Sequence, residues 1–213
     1  MKNILEVSIE ELKSEMSVNI KNVTDENEKN YQRAIDEGKF SAEAIQKVLE
    51  DGKMVFVEEV AEIISLGLEE RRNILLYGQG GHGKSMAAEL LMDYLSSLGV
   101  IADLNPCTNE DTIDTYVGPI SMEIYKEVGV ELHNTALSPL NAQVTILEEV
   151  MDMDMFCAAS LKYPLEAKVI KKGTQVESIP TQCIIGLTNI NPDDFAAENR
   201  SADAFNQRFR YSW

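Results

Sequence analysis

Gly78-Gln79-Gly80-Gly81-His82-Gly83-Lys84-Ser85 fits the pattern G-x-x-x-x-G-K-[ST], the loop that cradles phosphates. The apolar run Asn73-Ile74-Leu75-Leu76-Tyr77 directly before it predicts a buried strand. Met86 to Leu95, directly after it, carries apolar residues at helical spacing. Strand, glycine loop and helix is the context the pattern requires. A glycine-rich turn with an incidental lysine would leave both flanks unexplained. Glycines let the chain adopt positive φ and approach a ligand closely. Successive backbone N–H groups then face one concavity, and the new helix adds its positive end. The backbone from Gly78 through Gln79, Gly80, Gly81, His82, Gly83, Lys84 and Ser85 to Met86 is therefore the candidate nucleotide cradle. His82 is a variable position whose backbone alone is needed. Lys84 is expected to reach the β- and γ-phosphates, and the Ser85 hydroxyl to ligate Mg²⁺.

At 213 residues the chain has room for one sizeable domain and a small appendage. A hydrophobic content of 44% with 26% charged residues is that of a soluble globular protein. The net charge of −17 argues against a nucleic-acid partner, which calls for a basic surface. No run approaches the roughly 18 apolar residues of a membrane span, and the opening stretch has no signal-peptide core. The expectation is a cytoplasmic protein without membrane association. Cys107, Cys157 and Cys183 are odd in number and not at metal-ligand spacing, so they read as reduced core thiols.

Residues 1–52 are acidic, helix-favouring and poor in aromatics, and predict a helical N-terminal extension packed loosely on a core of residues 53–213. Ser8-Ile9-Glu10-Glu11 fits a capping box, Asn19 to Lys29 reads as a polar loop, and Ser41 to Leu49 as a short helix closed by Asp51-Gly52. Val55 to Leu68 has helical periodicity. Gly99 to Leu104 predicts a second strand, Asn109 to Tyr116 and Ser121 to Val128 short helices, and Asn141 to Leu147 a third strand. A Met-rich helix over Met151 to Leu161 follows. Ala167 to Ile179 alternates around Lys172-Gly173, the mark of a β-hairpin. Gln182 to Thr188 predicts a fourth strand, Ala202 to Gln207 a helix, and Phe209 to Trp213 the start of a further strand. Strands alternating with helices imply an α/β fold, a parallel sheet covered on both faces.

The third strand ends in Glu148-Glu149, about 65 residues after the glycine loop. Open α/β sheets bind ligands beyond that edge. Glu148 is a candidate Mg²⁺ ligand through water, and Glu149 a candidate for polarising an attacking water. An ordinary acidic strand-to-helix turn is the alternative. The fourth strand ends in Asn189, whose amide could hold that water against the γ-phosphate. Arg208, in Ala204-Phe205-Asn206-Gln207-Arg208-Phe209, ends a short helix and could reach a neighbouring subunit's nucleotide as an arginine finger. Arg200 is a second candidate. The catalytic set is thus Lys84, Glu149, Asn189 and Arg208.

In this order the parts resemble AAA+ ATPases of the MoxR group, and within it the regulatory ATPase variant A (RavA) branch. The resemblance runs from about Val55 to Trp213. It rests on the P-loop, Tyr116-Val117-Gly118-Pro119-Ile120-Ser121, Leu147-Glu148-Glu149, the hairpin with Val176-Glu177-Ser178-Ile179-Pro180, Thr188-Asn189 and the run from Arg208-Phe209. The resemblance implies a P-loop NTPase core with strand order 5-1-4-3-2, a β-hairpin inserted before the sensor strand, and homo-oligomeric, hexameric rings. It also implies ATP and Mg²⁺ as cofactors, and hydrolysis coupled to chaperone-like remodelling of a protein partner, such as one with a von Willebrand A domain.

Two departures from that pattern stand out. The family has Asp-Glu where this chain has Glu148-Glu149, which lengthens the first carboxylate by a methylene. The chain stops at Trp213, inside the expected fifth strand, so the expectation is a truncated product or a fragment without the family's helical lid, or a lid that lies on another chain. The residues leave open a related GTPase motor subunit, or a nucleotide-binding regulatory module with little hydrolysis. Adenine contacts are assignable no further than Val55 to Val57.

Overall fold

The computed structural model describes residues 25–129, 131–172, 175–198, 200–209 and 211–212. The capping box at Ser8 lies outside them. Nine α-helices are described: α1 (residues 25–36), α2 (Ala42–Asp51), α3 (Glu58–Glu69), α4 (Lys84–Ser97), α5 (Ile113–Val117), α6 (Met122–Val128), α7 (Met155–Ala167), α8 (Pro192–Glu198) and α9 (Arg200–Asn206). The strands are β1 (Ile74–Tyr77), β2 (Ala102–Pro106), β3 (Val144–Glu148), β4 (Val169–Lys172), β5 (Gln175–Ser178), β6 (Cys183–Thr188) and β7 (Tyr211–Ser212).

Five strands form one parallel sheet in the order β2-β3-β6-β1-β7, and β4 and β5 pair separately as an antiparallel hairpin. With the hairpin set aside, that order is 5-1-4-3-2 along the chain. Alternation along each strand divides the core into two layers. Ile74, Leu76, Val144, Ile146, Cys183 and Ile185 face α1 to α4. Leu75, Leu147 and Ile184 face α5, α7, α8 and α9. Both faces are covered, which is why these strands read as continuous apolar runs.

Several local expectations shift for identifiable reasons. Residues 25–29, expected to be loop, are helical, because α1 is an integral part of the core. Tyr31 and Phe40 are fully buried and meet edge to face at 5.0 Å. Tyr31 Oη donates to the Leu68 carbonyl at 2.7 Å, an acceptor left over at the end of α3. Arg71 stacks over the Tyr31 ring and pairs with Glu28 at 2.6 Å. Residues 31–49 and α3 and α4 share one apolar cluster, so the contact across residue 52 is tight rather than loose.

The Met-rich helix starts four residues later than its composition suggests, at Met155. Asp154 is its N-cap and accepts from the amides of Phe156 and Cys157, while Met151 and Met153 are buried in the preceding turn. β2 also starts later than expected: Gly99 closes α4 with φ 71°, and pairing with β3 begins only at Ala102. Helix α8 was not anticipated, although Asn191 before Pro192 carries both an N-cap and an N1 signal.

Candidate functional site

Strand β1 delivers the glycine loop to the C-terminal edge of the sheet, and α4 leaves from it. Gly81 and Gly83 have φ of 84° and 86°, a region where a side chain is strained. Gly80, Gly81, Gly83, Lys84, Ser85, Met86, Glu149 and Asn189 line one cavity of about 300 Å³. Eight positions singled out from the sequence therefore meet at one place, drawn from three separate strand ends.

The polar groups of the cavity are connected. Lys84 Nζ donates to the carbonyls of Gly78 at 2.7 Å and Gln79 at 3.1 Å, and to Asn189 Oδ1 at 2.8 Å. Asn189 Nδ2 in turn donates to Glu149 Oε1 at 2.7 Å. The amide thus has its oxygen on the cation and its nitrogen on the carboxylate, an orientation that suits both charges. Burial lowers the Lys84 pKa, and the Glu149 charge works against that shift.

Glu149 has φ 49°, a left-handed conformation uncommon for a residue with a side chain. It is held there by its neighbours: Val150 N–H donates to the Leu187 carbonyl at 2.9 Å, and Asp152 N–H to the Glu149 carbonyl at 2.8 Å. The turn carries Glu149 out of the strand line towards Asn189. Glu148, one residue earlier, is still in β3; its carbonyl accepts from Cys107 N–H at 2.8 Å, and its side chain is not among the groups lining the cavity. His82 is exposed, as expected of a position used through its backbone.

Positive-φ glycines, a lysine and an open volume beside them suit a triphosphate. Ser85 and Glu149 bring hard oxygens to the cavity, the donor type Mg²⁺ takes, and phosphate oxygens and water would complete its shell. Among the described residues no group of three His, Cys, Asp or Glu side chains could hold a metal by itself. The three cysteines are free and buried, and burial pushes each thiol up to about 12.

Arg208 is elsewhere. Asn73, at the N-terminal end of β1, donates through Nδ2 to the Arg208 carbonyl at 3.2 Å. The residue thus lies at the sheet edge opposite its own glycine loop. Its guanidinium pairs with Glu166 Oε2 at 2.8 Å. Arg200 opens α9, and its side chain lies outside the described set.

Residues 43–211 match the profile of one family, described as the MoxR domain in the MoxR-vWA-beta-propeller ternary systems. The chain belongs to this family. No curated protein matches this MoxR domain. The solved structures that share its fold include these two. One is a protein of Cytophaga hutchinsonii named "putative ATPase", at 13% identity and TM-score 0.50, covering 74% of the chain and 47% of that structure. The other is NtrX from Brucella abortus, at 18% identity and TM-score 0.51, covering 67% of the chain and 32% of that structure. The MoxR domain therefore spans less than half the length of either. Among its described residues no helix is long and apolar enough to cross a membrane.

The sequence did not point to two contacts at these sites. Met54 lies against the glycine loop, with its Cε 3.1 Å from where a Cβ on Gly83 would stand. Glu166 meets Arg208 from 42 positions away, and neither carries a local signal of the other.

Proposed function

We propose that this MoxR domain binds ATP with Mg²⁺ at the glycine loop and hydrolyses it. The carrying observation is the hydrogen-bonded line from Lys84 through Asn189 to Glu149 along one cavity. Lys84 holds the β- and γ-phosphates. Ser85 would hold the metal, with Glu148, whose side chain lies outside the cavity lining, reaching it through water; the metal would offset phosphate charge. Glu149 accepts a proton from the attacking water, and Asn189 orients that water and the carboxylate together. The left-handed turn at Glu149 supports this reading, since strained backbone concentrates where a side chain must be aimed.

Arg208 lies too far from its own glycine loop to serve it, which supports action on a neighbouring copy. The chain then works as a subunit of a homo-oligomeric ring, hexameric as in the RavA-like resemblance, and remodels a protein partner. The family's description names vWA proteins, which makes a von Willebrand A domain the first partner to try.

Mixing two inactive variants tests the split site. Arg208→Ala and Glu149→Gln should each bind ATP and turn it over poorly. Mixed, they should recover activity, because one interface type then joins an intact Glu149 to an intact Arg208. No recovery in rings shown to be mixed would refute action in trans. Faster GTP than ATP turnover would reassign the base.

A further inference from the structure

A second cavity, of about 160 Å³, opens at the N-terminal edge of the sheet, between the start of β1, the end of α7 and the end of α9. Arg72, Asn73, Glu166, Lys168, Gln207 and Arg208 line it, with Arg71 at its side. Four cations and one carboxylate are gathered in a chain whose net charge is −17. Arg71 is already committed to Glu28, Gln32 and Gln182. Arg208 is half engaged: its Nη2 meets Glu166, while its Nε is buried with no hydrogen-bond partner among the described residues. A buried donor left in this way calls for an acceptor that the described residues do not supply.

Lys168 is built into the same wall. It ends α7 in the left-handed conformation, with φ 55°, and its Nζ donates to Asn73 Oδ1 at 2.7 Å. The other end of the Asn73 side chain donates to the carbonyls of Leu165 and Arg208. One buried amide therefore holds the lysine and the arginine segment in a fixed relation. Burial lowers the Lys168 ammonium to about 8, so an anion beside it would offset the penalty that the fold places on its charge.

We propose that this pocket receives a terminal phosphoryl group of a nucleoside triphosphate held by an adjoining copy of the chain, that Lys168 joins Arg208 there as a second cation, and that Glu166 occupies Arg208 until the phosphoryl group displaces it. This rests on the reading of Arg208 as acting in trans. Glu166 suits a displaceable occupant. Its side chain is 62% exposed against 26% for Arg208, and a pair whose carboxylate stands in water is weak enough to exchange for a dianion.

The test uses the full chain. Turnover of ATP is followed against protein concentration for wild type, Glu166→Gln, Lys168→Asn and Lys168→Arg. Asparagine tolerates the left-handed conformation, so Lys168→Asn removes the charge with the backbone kept, and thermal melts verify folding. Glu166→Gln should lower the half-maximal protein concentration by up to about fivefold, the ceiling for an exposed pair. Lys168→Asn should raise it, and Lys168→Arg should restore it. In parallel, the phosphorus NMR line width of inorganic phosphate is measured on a Lys84→Ala background, which disables the glycine loop. Glu166→Gln should broaden that line and Lys168→Asn should sharpen it. Phosphate broadening that responds while the concentration dependence does not would overturn the neighbouring-copy source and leave a free-anion site. Silence of Glu166→Gln and Lys168→Asn in both assays would overturn the pocket altogether. If those two are silent while Arg208→Ala is inactive, this inference fails alone. If Arg208→Ala is fully active, the trans reading itself has failed.

Discussion

Replacing Asn189 with Ala removes the link between the lysine and the glutamate. In the intact site its oxygen accepts from Lys84 at 2.8 Å and its nitrogen donates to Glu149 at 2.7 Å. Lys84 keeps two further acceptors, the carbonyls of Gly78 and Gln79, so it stays anchored near the phosphates. Hydrogen bonds to charged groups contribute about 1.5–3 kcal/mol when buried, and less here because Asn189 is exposed. ATP affinity should therefore change by less than about tenfold. Glu149, by contrast, loses the side-chain group that aims its carboxylate. Loss of one preorganised polar group at a reacting centre costs about 10²- to 10³-fold in kcat. Calorimetric titration with ATP and steady-state turnover separate the two effects. A kcat within threefold of wild type, or a loss of affinity as large as the loss of kcat, would refute the role given to the amide.

Lys84→Ala should weaken ATP binding by removing the cation at the β/γ-phosphates; equal affinities by calorimetry would sink the site. Glu149→Gln keeps an acceptor for the Asn189 amide but no base, so it should retain ATP and nearly stop turnover, while Glu148→Asp should keep or raise it, both read by phosphate release. Lys168 titrates lower in the fold, at about 8, than in the unfolded chain. The folded state thus gives up that proton first, and stability from this group grows as pH rises from about 8 towards the free-lysine value, by about 1–3 kcal/mol. The buried thiols near 12 act in the opposite direction; those of Cys107 and Cys157 are common to a Lys168→Asn control, and Cys183, whose thiol the Lys168 charge draws down, is replaced by Ala in both proteins, so the difference in unfolding free energy between the two should change over that window; a constant difference would refute the shift. Tyr31→Phe leaves the Leu68 carbonyl without its donor inside the core and should cost about 1–3 kcal/mol in denaturant unfolding, whereas an unchanged midpoint would mean α1 is dispensable to the core.

What the chain could declare locally, it did. The glycine loop is a contiguous device in which backbone conformation, helix start and lysine lie within eight residues, so its pattern needs no distant partner to be recognised. The apolar runs of β1, β3 and β6 were readable because both faces of a parallel sheet are buried, and Glu149 and Asn189 followed as residues at strand ends. Tertiary structure alone decided the rest. Lys84 and Asn189 are 105 positions apart, and only the pairing of β1 with β6 brings the loop and the strand end side by side. The polar, aromatic-poor N-terminal stretch looked detachable because only two aromatics, Tyr31 and Phe40, root it, and their burial depends on a surface made by α3 and α4. Arg208 announced itself as a helix-end arginine. Its distance from its own glycine loop and its capture by Glu166 follow from where α7 and α9 end on the opposite edge of the sheet, and helical periodicity carries no information about that.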